Sequence, residues 1–181
     1  MSIYLPENLK KLATLCPKPL YAVGGYVRNF LIDGTVSADL DIAAPLSTEE
    51  IETAARACGF KIVAEYKRTG TAVLFDGARK YEYTRFRTDF YGSGGVHTPT
   101  ATAFTEDIAL DAVRRDFKCN AVYYEIKNGE IVDPLNGVSD IQSKIGGDFG
   151  YLAAQMFLSP IEFCLHHFLS HYQYLIYKLF L

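Results

Sequence analysis

Leu20-Tyr21-Ala22-Val23-Gly24-Gly25-Tyr26-Val27-Arg28 is the stretch on which the fold turns. A short apolar run breaks on a glycine pair, and from Tyr26 to Ile32 apolar side chains return at helical spacing until Asp33-Gly34. The pattern predicts a strand, a glycine turn and a helix. Two glycines at such a junction let a ligand approach the backbone. The amides of the first helical turn favour an anion such as a triphosphate. Arg28, one turn into the helix, is placed to contact phosphate oxygens. Taken alone, the same residues also fit a tight turn followed by a surface arginine.

Downstream, Leu40-Asp41-Ile42-Ala43 reads as a second strand, ended by Pro45. Asp39 and Asp41 are two residues apart, so on a strand they project from one face. Carboxylates held side by side repel unless a cation lies between them. Magnesium accepts such oxygen ligands while keeping positions for phosphates and water. A D-x-D pair is also common on solvated strand edges, and the spacing by itself does not separate the two readings.

The flanking chain supplies the rest of a small domain. Asn8 to Cys16 carries Leu9, Leu12, Ala13 and Leu15 at helical spacing and stops before Pro17. Ser47-Thr48-Glu49-Glu50 predicts a helix start with Ser47 as cap and Glu50 completing a capping box; the helix runs to about Cys58 and closes on Gly59. Strands are predicted at Phe60 to Glu65, Thr71 to Phe75 and Lys80 to Phe86, with Asp76-Gly77 turning between the last two. Thr88 to Thr105, rich in glycine, threonine and serine, reads as a long loop. Glu106 to Val113 reads as a helix, and Ala121 to Tyr124 as a strand turned at Asn128-Gly129 into Ile131-Val132-Asp133, with Pro134 as its stop. The order of elements predicts an α+β domain with a mixed, mostly antiparallel sheet and flanking helices.

Two further clusters carry polar chemistry. Glu82 lies mid-strand between Tyr81 and Tyr83; it is either a third acid beside Asp39 and Asp41 or a solvent-facing member of the alternation with Lys80 and Thr84. In Arg114-Arg115-Asp116-Phe117-Lys118-Cys119-Asn120-Ala121 the arginines suit phosphate oxygens, and Asp116 and Asn120 suit a ribose or a base edge. In isolation that run also fits a charged helix end.

Composition sets the frame. With 181 residues the chain suffices for one domain with a proper core. A net charge of -3 gives no overall signature of nucleic-acid binding, so any RNA-facing surface is local or lies elsewhere. Cys16, Cys58, Cys119 and Cys164 lack zinc or redox spacing and read as reduced thiols of a cytoplasmic protein. Lys10-Lys11 follows the amino terminus without an apolar run, which does not fit a signal peptide.

The order G-G-x-V-R, D-x-D, E-x-T-x-F-R, R-R-D-F-x-x-N-A and D-P-x-x-G (Asp133 to Gly137), with Asp140-Ile141 after it, resembles the head of class II nucleotidyltransferases. These are the CCA-adding enzymes of bacteria and eukaryotes and the bacterial poly(A) polymerases. The resemblance covers about Tyr21 to Lys144 and implies a polymerase-beta-like head domain over residues 1–145. It implies that Asp39 and Asp41 hold two magnesium ions and that Glu82 is the third catalytic carboxylate. Gly24, Gly25 and Arg28 match triphosphate-binding positions, and Arg115, Asp116 and Asn120 match positions that meet the nucleotide. Gly92 to Thr100 matches a flexible loop linked to nucleotide selection. The implied reaction is attack of an RNA 3′-hydroxyl, with tRNA the foremost acceptor, on the α-phosphorus of CTP or ATP with loss of pyrophosphate.

The chain departs from that pattern in two places. Asn29 stands where the family usually carries an acid. Between Gly146 and Leu181 nothing matches the base-templating E-D-x-x-R motif, and no arginine follows Arg115. Residues 146–181 are expected to form an atypical apolar segment in place of the family's neck, the mark of a truncated or frameshifted coding sequence or of a short variant with a docking helix. In Phe149 to Leu181 the only formal charges are Glu162 and Lys178. Pro160, Glu162, His166, His167, His171 and Gln173 break the run, so it does not read as a membrane span of about 20 apolar residues. The alternative to an active transferase is an inactive remnant that retains nucleotide or protein binding.

Overall fold

The computed structural model describes residues 3–90 and 101–144. The chain divides into two units, Met1–Gln142 and Ser143–Leu181, and all but the last two residues of the described elements belong to the first. The expected loop Gly92 to Thr100 and the segment 146–181, with its three histidines, lie outside the described residues.

The predicted opening helix is α1 (Glu7–Leu15); it buries Leu9, Leu12 and Ala13. The decisive stretch folds as β1 (Tyr21–Val23) and α2 (Gly25–Asp33). Gly24 caps α2 at φ 78° and ψ -145°, a positive-φ conformation that any Cβ would strain, and Gly34 ends the helix in the left-handed helical region at φ 79° and ψ 2°. Next come β2 (Leu40–Ala44) and α3 (Thr48–Ala57). The expected capping box is formed: Glu50 N donates to Ser47 Oγ at 3.2 Å and Ser47 N donates to Glu50 Oε2 at 2.7 Å.

A meander follows, β3 (Lys61–Tyr66), β4 (Thr71–Phe75) and β5 (Lys80–Arg85). Its second turn is built on Asp76, whose Oδ1 accepts from the amides of Ala78 and Arg79. The predicted loop at Thr88 to Thr105 is corrected at both ends. β6 (Arg87–Phe90) and β7 (Ala101–Phe104) pair antiparallel, with Asp89 opposite Thr102. Threonines among small residues read as loop composition, but Thr88 and Thr102 are β-branched and serve equally well in paired strands. Helix α4 (Ile108–Val113) starts later than expected because Asp107 is its cap, accepting from Ala109 N at 2.8 Å. A single 3-10 turn, Lys118–Asn120, precedes β8 (Tyr123–Glu125) and β9 (Ile131–Val132). The last described element, α5 (Gly137–Lys144), was not among the predicted helices.

Seven strands form one sheet in the order β3-β4-β5-β2-β1-β8-β9. Every pairing is antiparallel except β2 with β5, which is parallel. This is the α+β architecture with a mixed, mostly antiparallel sheet that the sequence predicts. Side chains alternate across it. On one face Ala22, Leu40, Ile42, Leu74, Tyr81 and Tyr83 pack with the buried stripes of α1, α2 and α3 to form the main core. On the other, a smaller cluster of Val23, Ala43, Phe86, Ala112, Ala121 and Tyr123 covers only part of the sheet. The remainder of that second face is open.

Candidate active site

On the open face the parallel pairing has a specific consequence. It sets Asp41 of β2 opposite Glu82 of β5. Register partners in neighbouring strands share a face, so two carboxylates far apart in sequence stand side by side. Together with Val23, Thr71, Thr84, Arg87, Arg114 and Arg115 they line a polar cleft of about 280 Å³. Partial removal from water pushes the Asp41 carboxyl up from 3.8 to about 6; the negative charges of Glu82 and Asp39 add to this, and Arg115 opposes it. Asp39 precedes the first residue of β2 and is exposed. It therefore acts on Asp41 through charge without lining the cleft. Among the described residues no three His, Cys, Asp or Glu side chains close into a ready metal cage. The pair that strand register holds adjacent is Asp41 and Glu82.

The glycine turn sits against this pair. A Cβ placed on Gly24 would lie 3.2 Å from Asp41 Oδ2, so the carboxylate occupies space beside the turn that a side chain there would crowd. Gly25 is the first residue of α2, and a Cβ there would meet Arg28 Nη2 at 3.4 Å. Arg28 is only 7% exposed. Its Nη1 donates to Asn120 Oδ1, while Nε and Nη2 donate to Asn29 Oδ1 at 3.1 and 3.0 Å. The departure at Asn29 thus supplies an acceptor for Arg28, and Asn120 is brought to the same guanidinium from the 3-10 turn. Both are tied to Arg28 as structure.

Arg115 reaches the cleft from the end of α4. Its Nε donates to Tyr123 Oη at 3.0 Å and its Nη2 donates to Asp111 Oδ2 at 3.1 Å. Asp116 stands apart: it is exposed, does not line the cleft and makes no side-chain hydrogen bond among the described residues. Sequence reasoning offered both Arg114 and Arg115 to phosphate oxygens but assigned no site role to Arg87, Thr71, Thr84 or Asp111. Arg87 closes the E-x-T-x-F-R motif and Arg114 opens the R-R-D-F motif, which is the signal that marks them; Asp111 has a subtler one, three and four residues before the arginine pair.

The family model described as the poly A polymerase head domain matches residues 20–145, the span that holds this cleft and all nine expected site residues. The chain belongs to the poly A polymerase head-domain family. Its relatives include the CCA-adding enzyme of Lactobacillus helveticus (strain DPC 4571), 36% identical over 126 residues, covering 69% of this chain and 30% of that protein. Among solved structures, the Bacillus stearothermophilus CCA-adding enzyme in complex with CTP superposes with a TM-score of 0.59 at 26% identity, over 76% of this chain and 32% of that one. A tRNA nucleotidyltransferase complexed with a primer tRNA and an incoming ATP analog gives 0.55 at 25%, over 75% and 37%. The chain therefore spans about a third of the length of the relatives it matches. As a family head domain its fold carries the open sheet face where Asp41 and Glu82 meet, and among the described residues no helix is long and apolar enough to cross a membrane.

Proposed function

We propose that this head domain is a nucleotidyltransferase of the CCA-adding or poly(A)-adding type, adding CMP or AMP from CTP or ATP to an RNA 3′ end, with tRNA as acceptor and pyrophosphate as product. The observation that carries the reading is the Asp41–Glu82 pair, set side by side on an open sheet face, beside a glycine turn and in a cleft lined by three arginines. Adjacent hard oxygen donors, one with its carboxyl pKa raised first by removal from water and then by its neighbour's charge, fit a divalent cation, and for triphosphate substrates Mg²⁺ is the natural choice. Asp41 and Glu82 would hold it together, with Asp39 the further carboxylate at the start of the strand. Bound there, it would supply charge neutralisation at the triphosphate and activation of the 3′-hydroxyl.

The chain's own residues do the rest. Gly24, lacking a side chain, lets the triphosphate approach the backbone at the start of α2. Arg28, held by Asn120 and Asn29, keeps that helix start positive. Arg114 and Arg115, which line the same cleft, offer donors to phosphate oxygens as negative charge grows during transfer. Asp116, exposed at the end of the arginine run, is free to meet the nucleotide. Above pH 6 Asp41 is ionised and able to ligate. Cys16, Cys58 and Cys119 are thiols, in keeping with a cytoplasmic location.

The test is incorporation of labelled ATP or CTP into tRNA lacking its 3′ end, with magnesium, by wild type and Asp41→Ala. Incorporation lost in the variant, with its fold retained, supports the assignment; retained incorporation overturns it. Magnesium-dependent nucleotide binding without incorporation by wild type instead favours a binding remnant.

A further inference from the structure

One buried charge in the molecule has no part in the reaction just proposed. Asp111 on α4 is 0% exposed, yet its carboxylate gathers four donors. Arg114 Nε and Arg87 N donate to Oδ1 at 2.8 and 3.1 Å; Arg115 Nη2 and Tyr123 Oη donate to Oδ2 at 3.1 and 2.7 Å. Burial disfavours the charged form, but Arg115 and Arg114 and the hydrogen bonds from Tyr123 and Arg87 outweigh it, and the carboxyl is held below its usual range.

The geometry of these bonds is more particular than charge balance requires. Arg114 and Arg115 are adjacent in sequence, and on an ordinary helix end their long side chains would diverge. Asp111 takes one nitrogen from each, one on either oxygen, and so holds both on a single carboxylate. Tyr123 braces the second from below: its hydroxyl accepts from Arg115 Nε, and the guanidinium carbon lies 5.2 Å from its ring centroid. Each guanidinium keeps N–H donors not committed to Asp111, and both side chains line the cleft with Asp41 and Glu82. The third cleft arginine, Arg87, is tied to the same carboxylate through its backbone amide.

We propose that Asp111, braced by Tyr123, is a positioning residue that fixes the Arg114–Arg115 pair as a preformed phosphate clamp. The inference rests on the nucleotidyltransferase reading, since it takes the triphosphate as the clamp's occupant. Arginine side chains lose considerable rotamer freedom when they grip a ligand, and a carboxylate that has already ordered them removes that loss from the binding step. It touches no substrate itself.

The experiment measures magnesium–ATP and magnesium–CTP binding to the whole chain by calorimetry, for wild type, Asp111→Asn, Tyr123→Phe, Arg115→Ala and the double variant Asp111→Asn/Arg115→Ala. Urea unfolding is followed in parallel. Asp111→Asn keeps the shape but loses the charge; it should weaken nucleotide binding about tenfold or more. Tyr123→Phe, which keeps the ring and both arginines, should weaken it severalfold while the fold persists. The double variant should lose less than the sum of the two single losses, because part of the effect of Asp111 runs through that arginine and the rest through Arg114. Additive losses, or undiminished binding in a folded Asp111→Asn, overturn the proposal. If Asp111→Asn does not fold, Tyr123→Phe decides: undiminished binding there also overturns it. Wild type that binds neither nucleotide overturns the function on which the inference rests, a result distinct from all of these.

Discussion

Replacing Asp41 by Asn should make the protein more stable at neutral pH while removing its activity. Asp41 forms no side-chain hydrogen bond among the described residues, so the amide leaves no partner stranded. What it removes is a carboxylate that partial burial, Glu82 and Asp39 all disfavour in its charged form. The folded-state pKa is raised, from 3.8 to about 6, so the native protein binds this proton more tightly than the unfolded chain does. Stability must then fall as pH rises from about 4 to about 6, and stay at the lower level above that window. At about 1.36 kcal/mol per pKa unit the gap sets a ceiling of roughly 3 kcal/mol. Asp41 as a whole residue is exposed although it lines the cleft, so solvent screening reduces the net effect to about 1 kcal/mol.

The assay is urea unfolding of wild type and Asp41→Asn at several pH values between 4 and 8, with and without magnesium. The two proteins should be nearly equal at the acid end and separate through the window, with the variant the more stable above it. Millimolar magnesium should narrow the gap by stabilising wild type alone, because only the intact acid pair binds the cation. A variant no more stable than wild type at pH 7, or a difference independent of pH, would refute the claim that the site is held together against its own charge.

Other substitutions test the frame around the site. Gly137→Ala would place a Cβ 2.1 Å from Lys118 O and 2.9 Å from Val122 Cγ2; urea unfolding should show a loss of about 1–3 kcal/mol or more. The displaced turn carries Asn120, so ATP binding should weaken as well. Ser47→Ala removes the capping box and should lower stability by about 1 kcal/mol with nucleotide binding unaffected. Gly24→Ala meets both a φ of +78° and Asp41 Oδ2, so calorimetry should show ATP affinity falling about tenfold or more, and urea unfolding a loss of about 1–3 kcal/mol from the backbone strain.

Local signals read well from this sequence because their physics is local. Ser47 and Glu50 are three residues apart and satisfy each other's backbone, and Gly24 and Gly34 mark the two ends of one helix. What failed depended on distant partners. Whether Glu82 faces solvent or the acids could not be settled from its alternation with Lys80 and Thr84, because the answer lies in how β5 pairs with β2. Asp111, in the run Ile108 to Val113, has the pattern of a solvent-facing charge on a short helix; it is buried because Tyr123 and the Arg87 amide come to it from other strands. Helix α5 was missed for a similar reason: Asp133, before the Pro134 that reads as a stop, accepts from the amides of Gly137 and Val138 and so caps the helix across the proline.

The single parallel pair in an antiparallel sheet explains why the acids meet at all. A hairpin brings together residues near in sequence, with register set by its turn. β2 and β5 are separated by α3, β3 and β4, and they meet in parallel, so Asp41 and Glu82 are aligned by the pairing of whole strands. That pairing is fixed from the opposite face, where Leu40, Ile42, Tyr81 and Tyr83 pack into the main core, and Tyr83 Oη donates to the carbonyls of Ala44 and Leu46. A slip of one residue would bury Asp41 or Glu82 and expose a tyrosine. The apolar face thus holds two repelling carboxylates in register on the other side of the same strands, and the repulsion they retain is what makes the site receptive to a cation.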